Sequence, residues 1–475
     1  MIAIKNLILT KKISENVAVL DDLLGVDISY DVSHREFIIK NRKIQCYFVT
    51  GLCDATMSTE LFKSLVDIND IEVPNNKLVE TIANRLVHFQ GEKVTDVEKF
   101  IGSVVSGLLG IIIDDCSHGY IVDVRSYPTR APQEPDTEKV VRGSRDGFTE
   151  NIIINTALIR RRAKDHNLRN EMFSVGEKSK MDVCLCYVEG LTPPELVNDV
   201  RKRILDIKVD ELSMSDKALE ELIVKQRFNP YPLVRYSERP DTIAAHLYQG
   251  MIAIVVDTSP SVILGPITIF DHVHHVEEYR QTPLIGTYLR LIRYSGILMA
   301  MFLVPLWLLV VVQPDLLPES LSFIGPKEVG NIPIIAQILM AEFGIEFLRI
   351  ASIHTLTPLS TAMGIIAGVL VGQIAIDVGL FTPEVVLYVA VSAIGNYLTP
   401  SYELSLANKF SKIIFIICTF FFKLPGLLIS VAVWVIFLAS LKSFNKPYLY
   451  PLIPLNLREL VKNIIRFPMK NKKGA

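Results

Sequence analysis

Residues 126–162 read SYPTRAPQEPDTEKVVRGSRDGFTENIIINTALIRRR, and their reading decides how the rest of the chain is arranged. Pro128, Pro132 and Pro135 fix φ, lack an amide donor and bias each preceding residue toward extended backbone, which predicts an exposed extended strip over 127–136. Gly143 and Gly147 bracket Ser144, Arg145 and Asp146, a turn in which Asp146 can accept amide hydrogen bonds and open a helix near Phe148. Ile152, Thr156 and Ile159 then share a face with Phe148, while Arg160, Arg161 and Arg162 crowd the end where cations suit the helix dipole. Two readings follow for the polar residues. In one, Glu134, Pro135, Glu138, Arg142, Gly143, Arg145, Gly147, Phe148 and Glu150 form an arm that couples to a neighbouring subunit or domain through ion pairs. In the other the segment is a solvated charged linker, since exposed pairs contribute little.

Two halves of similar design flank this run. On the amino-terminal side, 5–22 is a mixed helical pattern closing near Gly25, and 36–49 alternates like a hairpin broken at Asn41, Arg42 and Lys43. Helical periodicity follows over 56–66 and 77–89, separated by Pro74 and Asn75, and then two strands at 108–113 and 120–124. On the carboxyl side the order recurs: a strand at 183–188, helices at 194–205 and 216–225, and a strand pair at 251–256 and 262–264. Tyr47-Phe48-Val49-Thr50-Gly51-Leu52 is echoed by Tyr187-Val188-Glu189-Gly190-Leu191 at the same place in each half, which suggests a diverged internal duplication. Each copy fits a small sheet covered by helices, together an α+β domain of two similar αβ subdomains.

Half of the 475 residues are hydrophobic (50%) and the mean hydropathy is +0.34, so part of the chain belongs in a membrane. Lys and Arg number 49 against 51 Asp and Glu, and the net charge of −2 gives no reason to expect nucleic acid. Arg160, Arg161 and Arg162 with Lys164 and Arg169 lack the nearby aromatic residues that stack bases. The opening MIAIKNLILTKKISEN has neither the length nor the cleavage site of a secretory signal, which predicts a cytoplasmic amino terminus.

Cysteines at 46, 53, 116, 184, 186 and 418 form no CxxC pair and no zinc spacing, and Cys184 and Cys186 fall on one strand face as ordinary core residues. P-loop, GxGxxG and GxSxG patterns are missing from the sequence. The best acid/base or metal candidate is Asp271-His272-Val273-His274-His275 with Glu277 and Glu278, because His274 and Glu278 are four apart and would meet on a helix face. Its place just before the first apolar span fits an amphipathic connector instead. The expectation is a protein that is not an enzyme and uses no cofactor or metal.

Residues 295–312 are free of charge over about 18 positions, enough to approach a bilayer crossing. Arg290 and Arg293 before this run, and Asp315 and Glu319 after it, put its start on the cytoplasmic side. Residues 333–352 are apolar but hold Glu342, Glu346 and Arg349, spaced to share one helix stripe. Charges at membrane depth are costly and face a partner or a wet cavity, so this stripe is the candidate ion path. The alternative is a re-entrant or interfacial helix with an internal ion pair. Residues 358–380 bring Gly364, Gly368 and Gly372 onto one face, which permits close helix packing.

A shorter run, 384–398, is bounded by prolines, and 413–441 is interrupted by Lys423, Leu424, Pro425 and Gly426, either as one broken span or as a tight helical hairpin. In the basic tail, Leu457, Leu460, Val461, Ile464 and Ile465 oppose Arg458, Lys462 and Arg466, as in a helix lying on the inner leaflet. With both termini in the cytoplasm the crossings must be even, yet five apolar segments are visible. Four crossings follow if 333–352 is re-entrant, six if the segment after 413 is a hairpin. The expected domains are a first cytoplasmic αβ subdomain (1–125), a proline-rich arm and linking helix (126–170), a second subdomain with juxtamembrane connector (171–285), a polytopic α-helical membrane domain (286–445) and a basic amphipathic cytoplasmic tail (446–475).

The run EPDTEKVVRGSRDGFTENIIINTALIRRR at 134–162 resembles the hallmark of the GerA family, the spore-germination A subunits of endospore-forming bacteria. SYPTRAP at 126–132, FNPYPLVRYSERPD at 228–241 and EEYRQTPLIGTYLRLIRYSGI at 277–297 extend the likeness over nearly the whole chain. The resemblance implies a multi-pass protein of the spore inner membrane with a large soluble amino-terminal domain. It further implies a homo-oligomeric ion channel, expected to pass monovalent cations during germination, working beside other germination membrane proteins in the lipid bilayer. A non-conducting signalling or scaffold subunit of a germination receptor complex is the alternative.

Overall fold

The computed structural model describes residues 7–74, 77–86, 91–128, 143–224, 226, 228–327, 331–354 and 372–468. The chain divides into two compact units, Met1–Arg227 with Val234–Pro266, and Phe228–Leu233 with Ile267–Ala475.

The first unit repeats one order of elements twice: helix, two long strands, two helices, strand, helix, two strands. The first copy comprises α1 (Ile13–Leu24), β1 (Val32–Ile39), β2 (Arg42–Val49), α2 (Ala55–Val66), α3 (Leu78–Arg85), β3 (Gly91–Val94), α4 (Val97–Val105), β4 (Leu109–Ile113) and β5 (Gly119–Val122). The second comprises α5 (Ile152–Arg162), β6 (Leu168–Val175), β7 (Met181–Val188), α6 (Pro194–Leu205), α7 (Ser215–Val224), β8 (Arg235–Ser237), α8 (Pro240–Leu247), β9 (Ile252–Val256) and β10 (Val262–Gly265). The two sheets run β1-β2-β4-β5-β3 and β6-β7-β9-β10-β8, the same permutation, with antiparallel neighbours throughout. The echoed YFVTGL and YVEGL segments end β2 and β7, and Gly51 and Gly190 both turn the chain there at φ 84, where a side chain would be strained. The duplication read from the sequence is therefore a repeated topology.

Alternation in β2 sets the layers. Ile44 and Cys46 face the core made with α2 and α3, while Tyr47 and Val49 face the core made with α1 and α4. β4, lying between two covered faces, is buried along all of LGIII. In the second copy α5 and α8 cover Cys184, Cys186, Ala253 and Val255.

Some boundaries differ from expectation. α1 starts at Ile13, because the chain before it is extended and Leu9 N donates to Thr95 O at 2.8 Å. α5 starts at Ile152 and not near Phe148, because Asn151 is the cap, its Oδ1 accepting from Ile153 N and Ile154 N at 2.9 and 3.1 Å. Asp146, expected to open the helix, instead pairs with Arg162.

The second unit contains α9 (Ile269–Val273), α10 (Val276–Arg280), α11 (Pro283–Val312), α12 (Ile334–His354), α13 (Pro383–Tyr397), α14 (Tyr402–Ser440) and α15 (Leu457–Ile464). Among the described residues, α11 and α14 are long and apolar enough to cross a membrane. An apolar core joins Val304, Trp307 and Leu308 of α11 to Ile338, Val385, Val389 and Ile416.

α14 is not one rod. Lys423 has φ 54 and ψ −141, Pro425 follows it, and the Phe415 and Trp434 rings lie 5.9 Å apart, edge to face. In a straight helix those residues would stand about 28 Å apart. Tyr231 closes the two arms, its hydroxyl 2.8 Å from Ser411 Oγ and accepting from Trp434 Nε1 at 2.6 Å. Of the two readings left open for this segment, the hairpin is the one observed. Its arms, 402–422 and 424–440, rise about 31 and 25 Å.

Candidate functional site

The stripe of Glu342, Glu346 and Arg349 lies on α12, a continuous helix of 21 residues rising about 31 Å. Glu342 accepts from Lys412 Nζ of α14 at 2.6 Å, and both side chains are 3% exposed. The same Nζ lies 3.1 Å from Ser392 Oγ of α13, and that hydroxyl donates to Ala300 O of α11 at 2.8 Å. One turn along, Glu346 is bound both by Arg349 and by Lys409 of α14, and the Arg349 guanidinium lies 4.9 Å from the centre of the Tyr402 ring. Glu346 is 22% exposed, so the cluster grades from a sealed pair to a partly open one. Four helices thus meet through polar side chains inside an otherwise apolar block.

All three residues of the predicted stripe are brought together, and two further cations, Lys409 and Lys412, come from α14. Lys409 and Lys412 sit in KFSKIIF, at the edge of an apolar run taken to begin at Ile413. The available signal was periodicity. Leu404, Ala407, Asn408, Ser411, Lys412 and Phe415 are all buried at helical spacing, so the helix continues back through the lysines.

The cost of this arrangement bears on its meaning. Removing two ions from water costs several kcal/mol each, and a buried pair is often no more stable than apolar residues of the same volume. Packing alone does not explain why charge is kept here. The cluster formally holds two carboxylates and three cations, so as it stands it offers an incoming cation no net attraction.

The remaining candidates fall elsewhere. Glu134, Pro135, Glu138 and Arg142 of the arm lie outside the described residues, as do Gly364 and Gly368. Gly143 and Arg145 are exposed, and the backbone oxygen of Glu150 accepts from Thr258 N at 2.8 Å. Gly147 is buried, and Phe148 is 3% exposed and packs in the core with α5 and α8. Arg145, Asp146, Arg161 and Arg162 line a cavity of about 640 Å³ beside this turn.

At Gly372 no described atom lies within 4 Å of where a Cβ would be. Close helix approach occurs instead at Gly395 of α13, where a Cβ would overlap Gly296 O of α11.

The histidine cluster does not form a joint site. His274, at φ −72 and ψ 135, separates α9 from α10, so His274 and Glu278 share no helix face. His274 Nε2 meets Asn463 O at 3.1 Å, His275 Nδ1 accepts from Glu277 N at 3.2 Å, and Asp271 closes a capping box with Thr268. Glu278 is fully buried against Arg290 Nε at 2.8 Å and against Arg293. Among the described residues no three His, Cys, Asp or Glu side chains gather closely enough to hold a metal.

A further buried ion pair lies in the first unit. Arg160 and Asp31 are 0% and 1% exposed, with Nη2 and Oδ1 at 3.0 Å, and Asn170 Nδ2 donates to Asp31 Oδ2 at 3.0 Å. Asp31 precedes β1, Arg160 ends α5 and Asn170 lies in β6, so this knot ties one copy of the duplication to the other. The arginine-rich helix end, read as solvated or as a protein contact, is at Arg160 an internal contact.

Residues 19–474 match the family described as Bacillus/Clostridium GerA spore germination protein. The chain is similar to Stage V sporulation protein AF of Bacillus subtilis (strain 168), with 51% identity over 453 residues, 95% of this chain and 92% of that protein. It is also similar to the membrane protein YfkQ of the same organism, with 31% identity over 79% of this chain and 73% of that one. Among solved structures it is similar to the N-terminal domain of the A subunit of the Bacillus megaterium spore germinant receptor GerK3. That likeness covers 55% of this chain and 96% of the other, at 26% identity and a TM-score of 0.44.

Proposed function

The chain belongs to the GerA family of spore germination membrane proteins, and from that premise we propose that it is a subunit of an oligomeric inner-membrane channel for monovalent cations, with the Glu342–Lys412 pair as its closed gate. The observation that carries the reading is that pair, 2.6 Å long and 3% exposed on either side, amid apolar helices. An intramembrane ion pair kept at such desolvation cost points to a path or a switch. In the paired state each carboxylate is neutralised. Opening separates α12 from the first arm of α14, frees Glu342 and takes Lys409 from Glu346, so that α12 keeps two carboxylates against the single cation Arg349, and a site that repels cations becomes one that attracts them.

A closed ring of copies repeats one contact and builds a pore from few helices per subunit, with other germination membrane proteins as further partners. Six crossings are the natural count: α11, α12, α13, the two arms of α14 and the apolar segment 358–380, a span expected from its sequence that lies mostly outside the described residues. With that number both termini lie in the cytoplasm.

Complete pairing of the stripe also favours a second reading, a non-conducting scaffold or signalling subunit in which the cluster only fastens helices. Potassium efflux from liposomes holding the purified chain, with and without a candidate partner membrane protein, separates the two. The channel reading expects efflux to change severalfold in Glu342→Gln, which removes both the lock on Lys412 and one of the carboxylates that face the open path, and unchanged efflux would take the pair out of the path. Zero efflux from wild type and variant, in protein shown to be folded and inserted, leaves the scaffold.

A further inference from the structure

The carboxyl-terminal segment has one side pinned and the other uncovered. Arg290, buried near the start of α11, donates to Lys462 O and Asn463 O, both at 3.0 Å, at the end of α15. The Tyr294 hydroxyl adds a bond to Asn463 O at 3.2 Å, and Arg466 N donates to Thr287 Oγ1 at 3.1 Å. These bonds satisfy the carbonyls that a helix end leaves open and fix α15 against the base of α11.

The opposite face of the segment is apolar and open: Leu455 and Leu457 are 62% and 65% exposed, and Val461, Ile465 and Phe467 are more than two-fifths exposed. Beside Thr287, the start of α11 continues this apolar surface through Leu284, Tyr288 and Leu291, all exposed. Cations border it at Arg458 and Lys462, and the chain from 446 to its end holds seven Lys or Arg and one acid, Glu459.

We propose that 450–467 docks onto the anionic phospholipid leaflet around the base of α11, its apolar face in the acyl boundary and its cations on lipid phosphates. A short helix with apolar and basic faces side by side matches that environment, and a juxtamembrane basic segment is drawn to a negative leaflet. Continuity with the apolar surface of α11 puts the patch at the level where that helix enters lipid. A soluble protein partner would not need the patch to run on into a membrane helix. Because Arg290 joins α15 to α11, whose Ala300 O holds Ser392 against Lys412, leaflet charge would bias the gate. The inference rests on the reading that α11 crosses the bilayer.

Hydrogen exchange on the full chain in nanodiscs tests it, with discs of phosphatidylcholine alone compared with discs containing phosphatidylglycerol. The amides of 457–465 should exchange roughly tenfold more slowly in the anionic discs. About 1 M salt, where the Debye length is near 3 Å, should erase the difference. Arg458→Glu with Lys462→Glu, both at exposed positions, should erase it too, while unchanged Trp434 fluorescence reports an intact fold.

Equal exchange in the two disc types overturns the proposal, as does protection that follows the number of copies per disc whatever the lipid, which would assign the face to a second chain. Rapid exchange throughout α11 would instead sink the membrane reading on which it stands. Protected α11 amides beside an equally exposed tail in both lipids sink the lipid dock alone.

Discussion

Lys412 and Glu342 are a pair that is costly to break and cheap to replace. Lys412→Met leaves a buried carboxylate without its cation, and a loss of about 3–5 kcal/mol is expected. Adding Glu342→Gln to it should restore most of that, since a neutral amide and a thioether demand little. Thermal unfolding in detergent across the four proteins of the cycle reads the coupling, and additive losses would show that the two side chains do not act as a pair. In the first unit Arg160→Met should cost a similar amount through stranded Asp31, seen as earlier exchange of β1 and β6 amides. A pH effect belongs to Glu171 of β6. Burial pushes its carboxyl up, but the Arg201 guanidinium and the Tyr187 hydroxyl outweigh burial and hold the pKa below its ordinary 4.5. Stability from this group is present above the unfolded value and is lost as pH falls through the lower folded one. Acid unfolding of β6 and α6 should therefore flatten below pH about 4.5 in Glu171→Gln, and an unchanged acid limb would show that Glu171 carries none of it.

At the level of elements, the bend of α14 concentrates on Lys423, whose φ of 54 and ψ of −141 lie in a region that only glycine enters freely. Lys423→Gly should stabilise the hairpin by about 1 kcal/mol, measurable as a higher thermal midpoint, and a lower midpoint would mean that the lysine side chain holds the tip. The same hairpin shows what the sequence could and could not reveal. The interrupting KLPG was visible, but whether the chain bends or reverses is decided by Tyr231, Ser411 and Trp434, far apart in sequence. The long alternating strands β2 and β7 were legible because both their faces are buried. β3, GEKV, was not, being short, polar and mostly exposed. β6, LRNEMFSV, was hidden by Arg169, Asn170 and Glu171, whose polarity serves internal contacts. At the candidate site the acidic side was legible from Glu342 and Glu346 within an apolar run. The basic side was not, because lysines at the margin of such a run look like its border.

Across the whole second unit, contacts between helix ends sort into two levels, and this bears on the crossing count. Gln313, ending α11, accepts from Leu424 N at the hairpin tip at 3.0 Å, and Gln337, early in α12, accepts from Thr382 N before α13 at 2.8 Å. At the other level lie the start of α11 and the end of α15. On the channel reading proposed above, an even number of passes returns the tail to the side from which α11 departs, and a reversal at Lys423 would make that number six. Single cysteines at Asp315, Lys423 and Arg458, probed with a membrane-impermeant thiol reagent, measure it. Asp315→Cys and Lys423→Cys should label from outside intact protoplasts, and Arg458→Cys only after permeabilisation. Six crossings demand that Lys423 and Asp315 label alike. Labelling of Lys423→Cys from the cytoplasmic side would mean that α14 does not reverse at the outer face, and the gate would have to be rebuilt on a different count of helices.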